Sequence, residues 1–300
     1  MERQEVNQEA SKLIEKEWDN MAAIFKKTAE VGTCQGSMIL YHHTLADKSN
    51  KILEVGVGTG RSSQMFSQSF MKQGALYVNT DISDNMIEVF RQNLATTGFE
   101  VEHQDVYTEV VPEADQKKIV IMKANNEELP FPDEEFDCYV SNLSLQIVDN
   151  PGNQLLEACR VLKSGAKAGF TVWGDESRCR NFTFLQEALA GLGYEFELAP
   201  SIASSFKLRD AKKVRENVLE AGFKVCKIFT VNLPFAIEPQ EEFLNIMVKP
   251  HFERFAKEQE FEDVKKEDLW QKVRDEFYFR YGPESSELPD FEQTVCIATK

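Results

Sequence analysis

The chain has 300 residues, of which 42% are hydrophobic, enough to bury a sizeable core in one large domain or one domain with an addition. Its formal net charge is −16 and its pI is near 4.8, with no cluster of Lys and Arg. A phosphate-tracking surface needs such a cluster, so neither nucleic acid nor an anionic membrane is expected as a partner.

Residues 1–30 read as one amphipathic helix. Ile14, Trp18, Met21 and Phe25 recur at helical spacing, and Glu and Lys fill the other face. Gly32 and Gly36 interrupt the pattern, and a second, short helix is expected through residues 38–41. His42 and His43 are adjacent and cannot share one helical face, so they read as surface or packing residues rather than a metal pair.

The next stretch is the most informative. Ile52, Leu53, Val55 and Val57 form the apolar run of a buried parallel strand. Gly56, Gly58 and Gly60 follow at every second position, and Phe66 and Phe70 then stand one helical turn apart. The reading is strand, tight glycine turn, helix. Glycine permits positive φ and has no Cβ, so a ligand can lie on the backbone, and the starting helix offers free N–H groups. A dinucleotide fingerprint, G-x-G-x-x-G, would need a glycine at position 61, which is Arg61. The pattern present is G-x-G-x-G, preceded by Glu54 inside the strand. It resembles motif I of the class I S-adenosylmethionine (SAM)-dependent methyltransferases; the alternative is a structural turn that holds no ligand.

Residues 75–81 form the second strand and end in Asp81, at about the spacing of a ribose-binding acid. A carboxylate there accepts from both ribose hydroxyls. Ile82 is placed on the adenine face. The competing role for Asp81, capping the helix of residues 84–96, suits Ser83 or Asp84 better. Gly98 stops that helix, residues 99–116 are a polar, acidic excursion of unknown purpose, and residues 119–122 are the third strand.

Residues 124–133 and 136–143 resemble the family's "D-A-E-E-L-P-F…F-D" block. In the family, an acid at the position of Asn125 accepts from the adenine amine. Asn can still accept, without the charge and so more weakly; Asn126 is a second candidate. Pro130 and Pro132 keep the linker extended. The fourth strand, residues 137–143, ends where open α/β sheets bind ligands. Asn142, Leu143 and Gln146 are expected beside the sulfonium and the acceptor pocket. Many relatives have His near Gln146, and Gln cannot serve as a base. The resemblance thus implies a cofactor-binding set of Glu54, Gly56, Val57, Gly58, Thr59, Gly60, Asp81, Ile82, Met86, Asn125, Asn126, Asn142 and Leu143.

Pro151 begins the next helix, and Arg160-Val-Leu-Lys-Ser-Gly165 resembles the family's "R-V-L-K-P-G-G" turn into strand five, residues 168–173. Asp175 and Glu176 are the nearest acids to the expected pocket, although loop acids are more often simply solvated. Helices are expected over 181–193 and 210–222, strand six over 224–231 and strand seven over 291–298; the family pairs the last two antiparallel. Residues 237–289 are charged and Phe-rich (Phe243, Met247, Phe252, Phe255, Phe261, Phe277, Phe279), and form either a lid over the acceptor site or a satellite helix pair.

The resemblance covers about residues 50–235 and the last strand, closest to the small-molecule branch that holds the type-11 and ubiquinone-biosynthesis methyltransferase domains. It implies an α/β fold: a Rossmann-like, seven-stranded, mostly parallel sheet in the order 3-2-1-4-5-7-6 with helices on both faces. The implied organisation is an N-terminal helical cap (1–45), a SAM-binding core (46–236), a helical lid (237–289) and a last core strand (290–300). SAM is the implied cofactor and a small-molecule methyl acceptor the implied partner, joined by in-line displacement. A base is needed only for a protonated acceptor; His42, His43, Asp149 and Asp175 are candidates, and none is assigned as catalytic. Two other readings remain: a methyltransferase-fold scaffold with a protein partner, and a nucleotide oxidoreductase, which Arg61 disfavours.

The six cysteines are scattered without a C-x-x-C pair and read as reduced thiols. No metal site is expected. No apolar run reaches the ~20 residues of a membrane span, and the first residues carry no signal core, so a cytoplasmic location is expected.

Overall fold

The computed structural model describes the chain except for residues 96, 199–203, 236–239 and 283–288. Two helices open it. Helix α1 (Gln8–Thr28) is capped by the Asn7 side chain, which accepts from the Ala10 N–H. Helix α2 (Glu30–Thr44) follows after the single residue Ala29.

Gly32 and Gly36 lie inside α2 and do not break it. A Cβ at Gly32 would stand 2.6 Å from the Phe235 ring, and one at Gly36 would stand 2.4 Å from both Asn142 Oδ1 and Gln293 Oε1. Glycine costs about 1 kcal/mol of helix propensity relative to Ala. Here it lets α2 lie directly on the sheet, and tertiary packing overrides the local preference.

The sheet has eight strands: β1 (Lys51–Val55), β2 (Leu76–Asp81), β3 (Glu100–His103), β4 (Lys118–Lys123), β5 (Phe136–Asn142), β6 (Leu162–Trp173), β7 (Val225–Pro234) and β8 (Asp290–Thr299). Their order is β3-β4-β2-β1-β5-β6-β8-β7. Strand β8 runs antiparallel to β6 and β7, and the other pairings are parallel. Helices on both faces bury the central strands, which is why β4 reads as a continuous apolar run over residues 119–122 and β1 and β2 are buried along nearly their whole length.

Without β3 this is the expected order, so the expected seven strands become eight. The extra strand lies in the 99–116 excursion and pairs with β4 at the edge, Val101 facing Ile119. Its sequence, Glu-Val-Glu-His, has one apolar residue and no alternation to announce it. An edge strand needs only one partner and tolerates such polarity.

The helices between strands are α3 (Arg61–Ser69), α4 (Asp84–Ala95), α5 (Pro151–Val161), α6 (Arg180–Gly191) and α7 (Ala211–Glu220). Pro151 stands at the start of α5, and the Asn150 side chain accepts from the Gly152 and Asn153 N–H groups. Before β8 the chain adds α8 (Gln240–Phe243), a π turn (Leu244–Val248), α9 (Lys249–Glu258) and α10 (Asp263–Tyr281). These helices bury Phe243, Phe252, Phe255 and Phe277 in an aromatic cluster shared with α6, with Phe243 stacked on Phe277 at 5.4 Å. Phe279 is left out of it, 83% exposed. Among the described residues no helix is long and apolar enough to cross a membrane.

Candidate functional site

The chain leaves β1 through a bend in which Gly56, Gly58 and Gly60 have φ of +62°, +58° and +75°. The Val57 N–H reaches across to the Thr80 carbonyl at 3.0 Å, tying the bend to β2. Gly60 is packed so tightly that a Cβ would stand 1.8 Å from Phe90, whereas one at Gly58 would meet only the Phe25 ring, at 3.7 Å.

Asp81 ends β2 beside this bend. The Gly58 N–H donates to Asp81 Oδ2 at 2.8 Å and the Ser83 N–H to Oδ1 at 2.9 Å. Burial pushes the carboxyl above its usual range, and these N–H groups pull it partly back. The cap of α4 belongs to Ser83, whose Oγ accepts from the Met86 N–H at 3.1 Å. Ser83 Oγ also donates to Asp19 of α1 at 2.6 Å, which ties α1 to the mouth of the bend.

Glu54 is fully buried at the end of β1. Tyr41 Oη at 2.7 Å, Ser63 Oγ at 2.9 Å and Tyr77 Oη all donate to its Oε2. Burial raises its pKa, against the pull of these hydroxyls. Beyond β4, Asn125 Oδ1 accepts from the Glu127 N–H at 3.0 Å, and Asn125 Nδ2 donates to Ser11 of α1, also at 3.0 Å. Asn126 donates to Ser144 Oγ at 3.3 Å. Beyond β5, Asn142 donates to the Thr33 carbonyl at 2.9 Å and accepts from Thr171 Oγ1 at 2.6 Å, joining α2 to β6. Leu143 has φ +51°, a costly conformation for a non-glycine residue, held by its N–H on Thr171.

These residues surround one cavity of about 550 Å³, within the usual range for small-molecule sites. All the residues of the cofactor-binding set named from sequence line it: Glu54, Gly56, Val57, Gly58, Thr59, Gly60, Asp81, Ile82, Met86, Asn125, Asn126, Asn142 and Leu143. Ile14, Trp18, Met21 and Phe25 of α1 cover it on one side. The far end is apolar, built by Trp173, Phe182 and Phe235 with Met247 of the π turn.

Gln146 and the base candidates lie elsewhere. Gln146 does not line the cavity; its Nε2 turns back to the Leu143 carbonyl at 2.7 Å and braces that strained residue. None of the four base candidates lines the cavity. His42 and His43 are exposed on the outer side of α2, where the His43 ring lies 5.0 Å from Phe229. Asp149 is an exposed loop acid. Asp175 caps the short turn that follows it, accepting from the Ser177 N–H at 2.9 Å, and Glu176 pairs with Arg209 at 2.9 Å. They are loop acids turned to solvent or to each other's neighbours, as loop acids usually are.

Glu30, Asn181 and His251 are among the lining residues that the sequence did not mark. Glu30 opens α2 with its side chain in the wall and a buried Oε2 that has no hydrogen-bond partner among the described residues. Asn181, in the first turn of α6, is 4% exposed with both amide atoms likewise unpartnered. His251 reaches the cavity from α9, and burial holds its imidazole below its usual pKa, hence neutral near pH 7. No local signal marks them: each sits in a charged or mixed stretch whose facing direction depends on tertiary packing.

Residues 53–170 match a family model described as a methyltransferase domain. An uncharacterized protein of Methanocaldococcus jannaschii is 29% identical over 178 residues, covering 58% of this chain and 65% of that protein. The ubiquinone/menaquinone biosynthesis C-methyltransferase of Francisella philomiragia is 32% identical over 120 residues, covering 40% of this chain and 41% of the enzyme. The chain thus spans less than two thirds of the length of these relatives. Among solved structures, a putative methyltransferase from Bacillus halodurans is 18% identical with a TM-score of 0.49, covering 89% of this chain and 99% of that one. A Haemonchus contortus phosphoethanolamine N-methyltransferase, solved with S-adenosylhomocysteine, is 16% identical with a TM-score of 0.48, covering 89% of this chain and 52% of that one. Likeness at this level extends to neither site nor substrate.

Proposed function

We propose that the chain, whose residues 53–170 match a methyltransferase domain, is a class I SAM-dependent methyltransferase that moves a methyl group from SAM to a small-molecule acceptor held at the apolar end of the cavity. The observation that carries this reading is the hydrogen bond from the Gly58 N–H to Asp81 across the cavity wall. It sets bare backbone and a carboxylate side by side, the two features an adenosyl group needs. Each Asp81 oxygen takes one N–H from the protein and has a second lone pair for a ribose hydroxyl.

The remaining residues fit the donor in kind. Ile82 and Met86 offer apolar surface to the adenine, and Asn126 offers a polar edge. Asn125 stands where the family has an acid, but its amide is engaged with Glu127 and Ser11. We assign it to anchoring α1 first and to adenine second. Glu54 and Glu30 bring carboxyl groups to the cavity wall, suited to the α-ammonium group of SAM. The wall also holds Glu17, Asp81 and Glu127, against the single guanidinium of Arg61 among the described residues. An acid-rich lining favours a cationic donor and opposes the pyrophosphate of a dinucleotide, so the oxidoreductase reading loses ground.

SAM, when bound, supplies a methyl group already activated by its sulfonium. The protein's part is then positioning and dryness. Effective alignment can supply about 7–11 kcal/mol, and the aromatic wall excludes water. Residues 1–45 serve as the cap over the donor and the stretch around residues 246–251 as the lid at the acceptor end, while the other described residues of this stretch, within 240–282, pack aromatics such as Phe243, Phe255 and Phe277 against one another. We assign no general base.

Calorimetry tests this reading. S-adenosylhomocysteine should bind at micromolar concentration, NAD should not, and Asp81→Ala should weaken the first at least tenfold. Absence of S-adenosylhomocysteine binding would overturn the proposal in favour of a scaffold that acts through a protein partner.

A further inference from the structure

The acceptor end of the cavity contains a polar side chain whose hydrogen bonds are unmade. Asn181 is 4% exposed, and among the described residues neither its amide oxygen nor its amide nitrogen has a partner. Phe182 and Met247 line the same small void as Asn181, and Trp173 and Phe235 line the main cavity with it. His251 shares the same stretch of wall: the two residues border both the main cavity and a small adjoining void of about 10 Å³. That void is at the lower limit of what one water needs.

A buried amide with both ends unsatisfied opposes folding, and such groups in native proteins are rare enough to require a reason. Leucine would fill the same space without that cost. The amide has a use if a bound molecule completes it. Other polar residues of this cavity are already engaged by the fold. Asp81 holds the bend, Asn142 ties α2 to β6, and Asn125 anchors α1. Asn181 makes no such tie within the described structure.

The side-chain amide of Asn presents one donor and one acceptor side by side in a plane. Its best complement is an edge with an acceptor and a donor on neighbouring atoms, the geometry by which Asn pairs with the N6/N7 edge of adenine. The flanking aromatic rings suit a flat, apolar body. An anionic acceptor would meet the acid-rich wall of Glu17, Glu30 and Glu127 with Arg61 as the one guanidinium among the described lining residues, so an uncharged molecule is favoured over an acid.

We infer that Asn181 recognises the methyl acceptor, and that the acceptor is a flat, neutral, largely apolar compound bearing an amide-like edge, a carboxamide or lactam. This rests on the methyltransferase reading for the word acceptor; the recognition by Asn181 does not.

The probes are benzamide, which has the edge, toluene, which lacks it, and benzoate, which is charged. Each is titrated calorimetrically into the full chain with and without saturating S-adenosylhomocysteine. Benzamide should bind at least tenfold more tightly than toluene or benzoate. Asn181→Leu should remove that preference and leave toluene binding equal or stronger, while its affinity for S-adenosylhomocysteine stays within twofold of the wild type. That last value also certifies the fold. Asn181→Asp, which keeps the size and loses the donor, should lose benzamide as well. If benzamide binds no better than toluene, or binds the variants as it binds the wild type, the inference is overturned. Failure of S-adenosylhomocysteine to bind would remove the methyltransferase reading alone, since the titrations without it still judge Asn181.

Discussion

Alanine at each of the three glycines of the bend should produce three distinct outcomes. All three residues have positive φ, so each alanine carries the left-handed penalty of about 1–2 kcal/mol. At Gly60 the new methyl would fall 1.8 Å from Phe90 Cδ2 and 2.3 Å from its Cγ. Phe90 is fully buried on α4, so the ring cannot retreat without moving the helix. Overpacking adds about 1–3 kcal/mol, for a total loss of about 2–5 kcal/mol. At Gly56 the methyl would meet Ser144 Cβ at 2.6 Å, a contact with the strained turn after β5, and the loss should be of similar size. At Gly58 the nearest atom is Phe25 Cε1 at 3.7 Å, an ordinary contact. Stability should then fall by the φ penalty alone, while the methyl occupies the surface on which the adenosyl group would lie. Urea unfolding with an unchanged slope reads the first effect, and calorimetry with S-adenosylhomocysteine reads the second, expected to be a tenfold loss or more. A Gly60→Ala protein with the wild-type midpoint would refute the packing argument. A Gly58→Ala protein that binds S-adenosylhomocysteine within threefold of wild type would refute the ligand argument.

Three further outcomes follow from the same geometry. Asp81→Ala should weaken S-adenosylhomocysteine at least tenfold, about 1.4 kcal/mol, which is modest beside the ~1.5–3 kcal/mol of one hydrogen bond to a charged group. Because burial holds the Asp81 carboxyl above its ordinary value of 3.8, and the ionised form is the better acceptor, affinity should decline on acidification from a higher pH than an ordinary aspartate would give. Titrations carried from neutral pH down into the ordinary aspartate range should show the decline in the wild type, beginning above that range, and none in Asp81→Asn. Tyr77→Phe removes one of the hydroxyls on the buried Glu54 Oε2 and should cost about 1.5–3 kcal/mol in urea unfolding; a change below ~0.5 kcal/mol would count against that network. Gly36→Ala would force α2 off Asn142 and Gln293, so both the melting temperature and S-adenosylhomocysteine affinity should fall, and an unaltered melting curve would contradict the close approach.

The two ends of the cavity differ in how far the sequence discloses them, and the reason is topological. Gly56 to Gly60, Asp81, Asn125 and Asn142 stand at the carboxyl ends of β1, β2, β4 and β5, which lie side by side in the sheet. Once the strands are recognised, parallel pairing alone brings their following residues together. The acceptor end has no such rule. Trp173, Phe182, Phe235, Met247 and His251 come from separate segments, and their meeting depends on how the stretch before β8 folds back. Residue type misleads there as well. His42 and His43 look like bases, but helical phase turns both away from the cavity, whereas His251, in the unremarked sequence Lys249-Pro250-His251, faces it. Gly32 and Gly36 mislead in the opposite direction: propensity ends the helix at them, and the sheet beneath requires them inside it. The amide of Asn181 and the Oε2 of Glu30, without partners among the described residues, lie furthest from any sequence rule. Whether a polar atom is satisfied is a property of its neighbours, so the unmet bonds that point most directly to a ligand emerge only when those neighbours are in place.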